Sequence, residues 1–538
     1  MAETPETEPL LPKPHHNLLG LTAWRFRIVC VSVWSLTFFV SLDSTLVATL
    51  LTPIGSFFQV SNQAQWIGTS YLLSLCCFTP IYGRLSDLLG RKTALCIGLT
   101  LFVLGTAGCG LAPSMAWLIV ARVVAGMGGG GLQSVSVIVV TDLVGLRRRG
   151  LFQGYGNIFF ATGAAVGAPA GGIINDKLGW RWAFYLQLPF LAIAAIMLVT
   201  QFKVPRPPTS SNDKGNPLKR LDWLGSLTLV SAVGTLLIGI SLKTSSSKSD
   251  GTNFAWSDPK IYGLLIAAAV LIVSFVLVEG FWAVEPLLPL SFLTRRTPAA
   301  VCLSSLVMVT NMFSIMFNIP LYCSTVLLAS ASQAGAHLTP YTLLLGLGSL
   351  EVGWVMRRTG KYWWLSIFHA LLLVLTGVLM FTWSTKSPGW MFWVAQMPSA
   401  FGYGAILTTS LVALMTDVVR QGKGETAVAT SMTYMFRMVG QVFGVSLSQA
   451  IIQAIVAKDL TNSIQGPRKQ EIIQLIRHSA SSIRDLEPVY RDAAVAAYQH
   501  ALHTVFICNL VLTIVNTCIL TAVKEEEMPE QRASEAAD

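Results

Sequence analysis

Runs of about twenty apolar residues recur along the chain, separated by short polar corners. They lie at approximately 26–51, 65–83, 94–112, 117–141, 151–174, 182–202, 223–242, 261–284, 299–327, 336–356, 363–383, 390–416, 427–456 and 500–523. A hydrocarbon core about 30 Å thick takes roughly 20 residues of α-helix at 1.5 Å rise each. Each run therefore predicts one membrane-crossing helix, fourteen in all, and the fold class is an all-α polytopic membrane protein. The seventh run ends gradually, through Ser241 to Gly251, and the thirteenth is long enough to project beyond the bilayer.

Polar residues between the runs set the orientation. The corners after the even-numbered runs hold eighteen Lys and Arg, among them Arg84, Arg91, Lys92, Arg147, Arg148 and Arg149, against six after the odd-numbered ones. Basic residues stay on the cytosolic side, so both termini are expected there. The segment 458–498 is set aside as a far-side loop, its alternating charges typical of a solvated amphipathic helix. The resulting division is a tail at 1–25, a six-helix bundle at 26–202, a cytosolic loop at 203–222, two additional spans at 223–284, a second six-helix bundle at 285–523, and a tail at 524–538.

Composition agrees with this reading. Of 538 residues, 53% are hydrophobic and 12% charged, where a soluble domain carries roughly 25% charged, and mean hydropathy is +0.59. A soluble enzyme is excluded. The net charge of +10 belongs to topology and gives no reason to expect nucleic acid as a partner. Seven of the nine cysteines, such as Cys76 and Cys302, sit in apolar runs without metal-ligand spacing, so no metal is expected. The acidic, proline-bearing N-terminus is not a cleavable signal. Its stretch from Glu6 to Leu11, with Leu10 and Leu11 adjacent, resembles an acidic dileucine sorting signal read by cytosolic adaptors on the way to vacuoles and lysosomes. No Asn-x-Ser/Thr sequon marks a lumenal face.

The corner Gly83 to Thr93 reads GRLSDLLGRKT. Gly83 and Gly90 permit a tight turn and close helix approach, Asp87 can accept from a neighbouring helix N-terminus, and Arg91 anchors the next span. The string resembles motif A of the major facilitator superfamily. That resemblance implies two six-helix bundles rocking about a central cavity, and a latch in which Asp87 and Arg91 meet Asp142 at the end of the fourth span. In the fourth span Arg122 stands in an apolar run ahead of Gly126 and Gly128 to Gly131, resembling another motif of the superfamily. A cation costs roughly 2.5–3.5 kcal/mol at the centre of a spanning helix even on the lenient scale, so Arg122 should face a cavity or a partner. Asp43 falls at similar depth on the first span. The two can pair permanently, or Asp43 can be a protonation site tuned by Arg122.

The fifth span carries Gly163, Gly167 and Gly171 at four-residue spacing, with Pro169 and Gly172 beside them. This is a packing face that can hinge. It resembles the antiporter signature of the fourteen-span proton antiporter branch, with the proline displaced by one position. The string from Leu178, LGWRWAFYLQLPF, resembles another of that branch, with Gln187 in place of Asn. In the second half, Gly353 to Trp363 repeats the order of motif A faintly. Pseudo-symmetry pairs the first span with the ninth, whose Asn311 and Asn318 could line the cavity. Glu351 is expected to pair locally with Arg358, and Arg437, with no acid nearby on its helix, is a second cavity charge.

No nucleotide-binding loop is present, so the energy source expected is a proton gradient, with no cofactor. The chain resembles fungal fourteen-span vacuolar amino-acid transporters over nearly its full length. That implies proton-driven uptake of amino acids, chiefly basic ones, by a monomer in the vacuolar membrane. Export of drugs or toxins at the plasma membrane is the alternative.

Overall fold

The computed structural model describes residues 22–60, 65–201, 222–245, 258–282, 290–329, 333, 336–384, 387–421, 426–465, 469–478, 483–484 and 486–526. The sorting residues Glu6, Leu10 and Leu11 lie outside them. Fourteen long helices follow in chain order: α1 Ala23–Phe57, α2 Gln65–Leu89, α3 Arg91–Gly110, α4 Met115–Leu143, α5 Leu146–Leu178, α6 Gln187–Gln201, α7 Trp223–Ser245, α8 Pro259–Phe281, α9 Arg296–Thr325, α10 Thr339–Thr359, α11 Trp363–Phe381, α12 Met397–Arg420, α13 Thr426–Ser463 and α14 Pro488–Thr521. Among the described residues, twelve helical stretches are long and apolar enough to cross a membrane. The fourteen crossings expected from the sequence thus number twelve by length and composition, because α2 and α10 fall short in apolarity. Both carry polar groups along the bundle interior and at the corner, such as Ser74, Ser86 and Asp87 in α2 and Ser349 and Glu351 in α10.

Local signals account for several ends. Ser114 Oγ accepts from the Trp117 N–H and starts α4, and Asp258 caps α8 ahead of Pro259, accepting from the Lys260 N–H. Helices α1 to α6 pack with one another, as do α9 to α14. Helices α7 and α8 form a hairpin that presents Ile266, Val270 and Val273 outward, and α7 lies against both α2 and α13.

The faint duplication in the sequence is plain in the packing. Glycines of α5 face the α1 backbone, with Gly163 against the Phe38 carbonyl and Gly167 against that of Leu42; Gly440 and Gly444 of α13 face the Leu306 and Thr310 carbonyls of α9 in the same way. Gly126 and Gly130 of α4 meet the Tyr71 and Leu75 carbonyls of α2, as Gly404 of α12 meets the Leu345 carbonyl of α10. The corners also correspond, since Gly90 and Gly360 both adopt positive φ, 90° and 70°, where an L side chain is disfavoured.

Two sequence expectations change here. The described part of 458–498 is helical, as its alternating charges suggested, but not fully solvated: α13 runs on to Ser463, α14 begins at Pro488, and between them Lys469–His478 buries Ile476, whose carbonyl accepts from Tyr498 Oη of α14. It is therefore partly packed onto the bundle. Glu351 faces His369 of α11, 3.3 Å away, while Arg358 lies over the Trp354 ring. Residues 351 and 358 share a helix face, but the neighbouring helix offers Glu351 a nearer partner than the next two turns do.

Candidate functional site

Helix α1 brings Asp43, and α4 brings Arg122, to one fully enclosed point. Arg122 Nη1 donates to Asp43 Oδ2 at 2.6 Å, and the two side chains are 1% and 0% exposed. Gly126, one turn further along α4, lets α2 approach closely enough for the Tyr71 ring to lie 4.1 Å below the guanidinium. Arg122 Nε also donates to the Ile67 carbonyl, and Gln187 Nε2, at the start of α6, donates to Asp43 Oδ1 at 3.4 Å. Both charges are thus paired and hydrogen-bonded, the condition under which burial is tolerated. Motif and burial cost singled out Arg122 and Asp43 in the sequence. Tyr71 carried no signal beyond being a tyrosine in an apolar run, and Gln187 only its place in the aromatic string.

A cavity of about 160 Å³ lies between the two sets of helices, with walls from α1, α2, α4 and α5 on one side and α9, α10, α12 and α13 on the other. Tyr71, whose ring lies on Arg122, lines it with Ser44 and Thr45 of α1, whereas Asp43 and Arg122 do not reach its wall. Most of the wall is apolar, for example Trp34, Phe152, Phe160, Phe313 and Met316; its amides are Gln133, Gln153, Asn157 and Gln441. Arg437 reaches this cavity. It is buried, donates from Nη2 to the Leu407 carbonyl, and leans over the Tyr434 ring.

Asn311 and Asn318, expected to line the cavity, do not. Asn318 Nδ2 donates back to the Ser314 carbonyl one turn earlier, at 2.7 Å, and Asn311 is buried away from the wall. Helix α9 turns Val309, Met312, Phe313 and Met316 toward the cavity, and positions 311 and 318 fall off that stripe.

At the corner after α2 the structure brings together all three latch residues. Arg91 Nε donates to Asp142 Oδ2 at 2.7 Å and Nη1 to Asp87 Oδ1 at 2.5 Å, while Lys92 Nζ reaches the Val199 carbonyl at the end of α6. Gly83 packs against Ser431 and Ala427 of α13, so the motif also touches the other bundle. At the same end Gly150 of α5 meets Gly353 of α10. A polar chain crosses nearby: Gln153 donates to Asn157, Asn157 Nδ2 to Ser349 Oγ at 2.7 Å, and Ser349 Oγ to the Gly404 carbonyl. The bundles are therefore closed on each other at the end that carries the motif. Of the hinge set in α5, Gly163, Gly167 and Gly171 lie on α1, whereas Pro169 is exposed and Gly172 has no neighbour within 4 Å of where a methyl would stand.

Two bundles of repeated packing around one cavity, with a charged latch at one end, narrow the fold to few possibilities. The family model described as Major Facilitator Superfamily matches residues 33–445. The chain belongs to that superfamily. It is similar to the multidrug resistance protein fnx1 of Schizosaccharomyces pombe, 34% identical over 507 residues that cover 94% of this chain and 93% of that one. It is similar also to vacuolar basic amino acid transporter 1 of Saccharomyces cerevisiae, 31% identical over 478 residues covering 83% and 81%. Among solved structures, the proton:xylose symporter XylE of the superfamily shares the fold, with a TM-score of 0.60 at 14% identity over 96% of this chain and 100% of that one. The chain is thus a transporter of the superfamily, and its two halves are the superfamily's two bundles.

Proposed function

We propose that this protein is a proton-coupled secondary transporter that carries amino acids into the vacuole by alternating access. The observation that carries the reading is the buried Asp43–Arg122 pair at 2.6 Å, one helix face away from a cavity bounded by both bundles. A carboxylate in that position can hold a proton in one state and the guanidinium in the other, which couples protonation to the rearrangement of α1 against α4. Relatives named as vacuolar amino acid transporters support the cargo and the membrane. In this reading α2 and α10 cross the bilayer with the other twelve helices, since both pack lengthwise against spanning neighbours, and the motif-bearing corners face the cytosol together with both termini.

Replacement Asp43→Asn, in protein that still reaches the membrane, is expected to abolish uptake of labelled Lys, Arg and His into isolated vacuoles driven by a pH gradient. Uptake at the unmodified rate would remove Asp43 from the mechanism. A second reading, efflux of apolar solutes, is favoured by the largely apolar cavity wall and by the name of the multidrug resistance relative. Drug resistance conferred on a sensitive host, without amino acid uptake, would establish it.

A further inference from the structure

The charge pattern of the cavity is one-sided. Among the described lining residues no carboxylate appears, and Arg437 is the single side chain that carries a full charge. It is 6% exposed. One nitrogen donates to the Leu407 carbonyl and the Tyr434 hydroxyl is a second polar neighbour, but among the described residues Nε has no hydrogen-bond acceptor and no Asp or Glu pairs with the guanidinium. Tyr341 Oη, in the same wall, is likewise buried without a partner among the described residues. A guanidinium presents five donors in a planar fork that matches a carboxylate, and a buried donor left unsatisfied is costly.

We propose that Arg437 is the docking point for the carboxylate of the transported solute, and that this cavity selects carboxylate-bearing solutes with an apolar body. The inference rests on the transport reading above and deepens it, by naming the group on the cargo that is recognised. With no acid among the described lining residues, a second cationic group on the cargo meets only neutral groups: aromatic faces such as Trp34, amides such as Gln133 and Asn157, and hydroxyls such as Ser41 and Thr37. The cavity should therefore prefer phenylalanine or leucine to lysine, a ranking opposite to that implied by relatives of the basic amino-acid type.

The test compares acids with their amides on the purified full-length protein in lipid nanodiscs, by calorimetry or tryptophan fluorescence. The probes are L-phenylalanine against L-phenylalaninamide, L-lysine against L-lysinamide, and 4-phenylbutyrate against 4-phenylbutyramide. The expected result is that the acid of at least one pair binds ten-fold or more tightly than its amide. Arg437→Gln should remove that difference by weakening the acid alone, and Arg437→Lys should keep part of it. Equal binding of acid and amide in the unmodified protein, or a preference that survives Arg437→Gln, overturns the proposal. So does failure of every probe to bind.

The two readings fail separately. Binding of both amino acids without discrimination from their amides leaves amino acid transport standing and removes the role of Arg437. Arg437-dependent binding of 4-phenylbutyrate alone does the reverse. The comparison within the unmodified protein decides the matter even if Arg437→Gln does not fold.

Discussion

A carboxylate and a guanidinium buried together are stable only as a pair. Removing one partner of such a pair costs about 3–5 kcal/mol because the other charge is left uncompensated, whereas replacing both with neutral groups is often tolerated. Asp43→Asn alone should therefore lower the melting temperature of the purified protein in detergent, and Asp43→Asn with Arg122→Gln should recover much of the loss without restoring gradient-driven transport. A double replacement as unstable as the single one would mean that the pair does more than neutralise itself. The sequence revealed both residues because a charge in an apolar run is conspicuous. Their companions were not legible: Gln187 is 144 positions from Asp43, and only the fold brings the start of α6 to that depth. Glu351 misled for the same reason, since its sequence neighbour Arg358 is visible and its spatial neighbour His369 is not.

Glycine patterns in the sequence translated well into contacts between elements, because four-residue spacing leaves a bare stripe wherever the helix is placed. What spacing did not tell was which glycines the stripe includes. A methyl at Gly167 would press on Thr45 Oγ1 and the Leu42 carbonyl, and one at Gly444 on the Thr310 carbonyl, whereas Gly172 faces open space. Overpacking of this kind typically costs 1–3 kcal/mol. Gly167→Ala and Gly444→Ala should each destabilise the protein by roughly that amount and slow transport, while Gly172→Ala should stay within about 0.5 kcal/mol, a change typical of surface positions. Melting curves of the three variants in one detergent decide the matter. The ends of the fourteen helices lie within about seven residues of those expected, except around 458–498, where alternating charge hid the apolar stripe that seats Ile476.

Taken whole, the molecule has its two bundles joined at the end that carries the motif. Gly83 against Ser431, Gly150 against Gly353, and the hydrogen bond from Asn157 to Ser349 join the bundles there. A hydrogen bond between neutral side chains contributes about 1 kcal/mol net, which is roughly a five-fold change in the balance between two conformations. Asn157→Ala should shift the population toward the form open at that end by about this factor, read from spin-label distances between the corners at Gly90 and Gly360. An unchanged distance distribution would assign closure to the glycine contacts alone.

The hairpin α7–α8 lies along one flank of the seam, with α7 touching α2 of the first bundle and α13 of the second. On the opposite flank α5 and α10 meet directly. When the bundles part, the flank between α2 and α13 stays roofed by α7, and no described helix covers the other in that way. A solute dissolved among the lipid tails would then have one sideways doorway into the cavity, between α5 and α10, and the extra hairpin makes the molecule handed toward the bilayer.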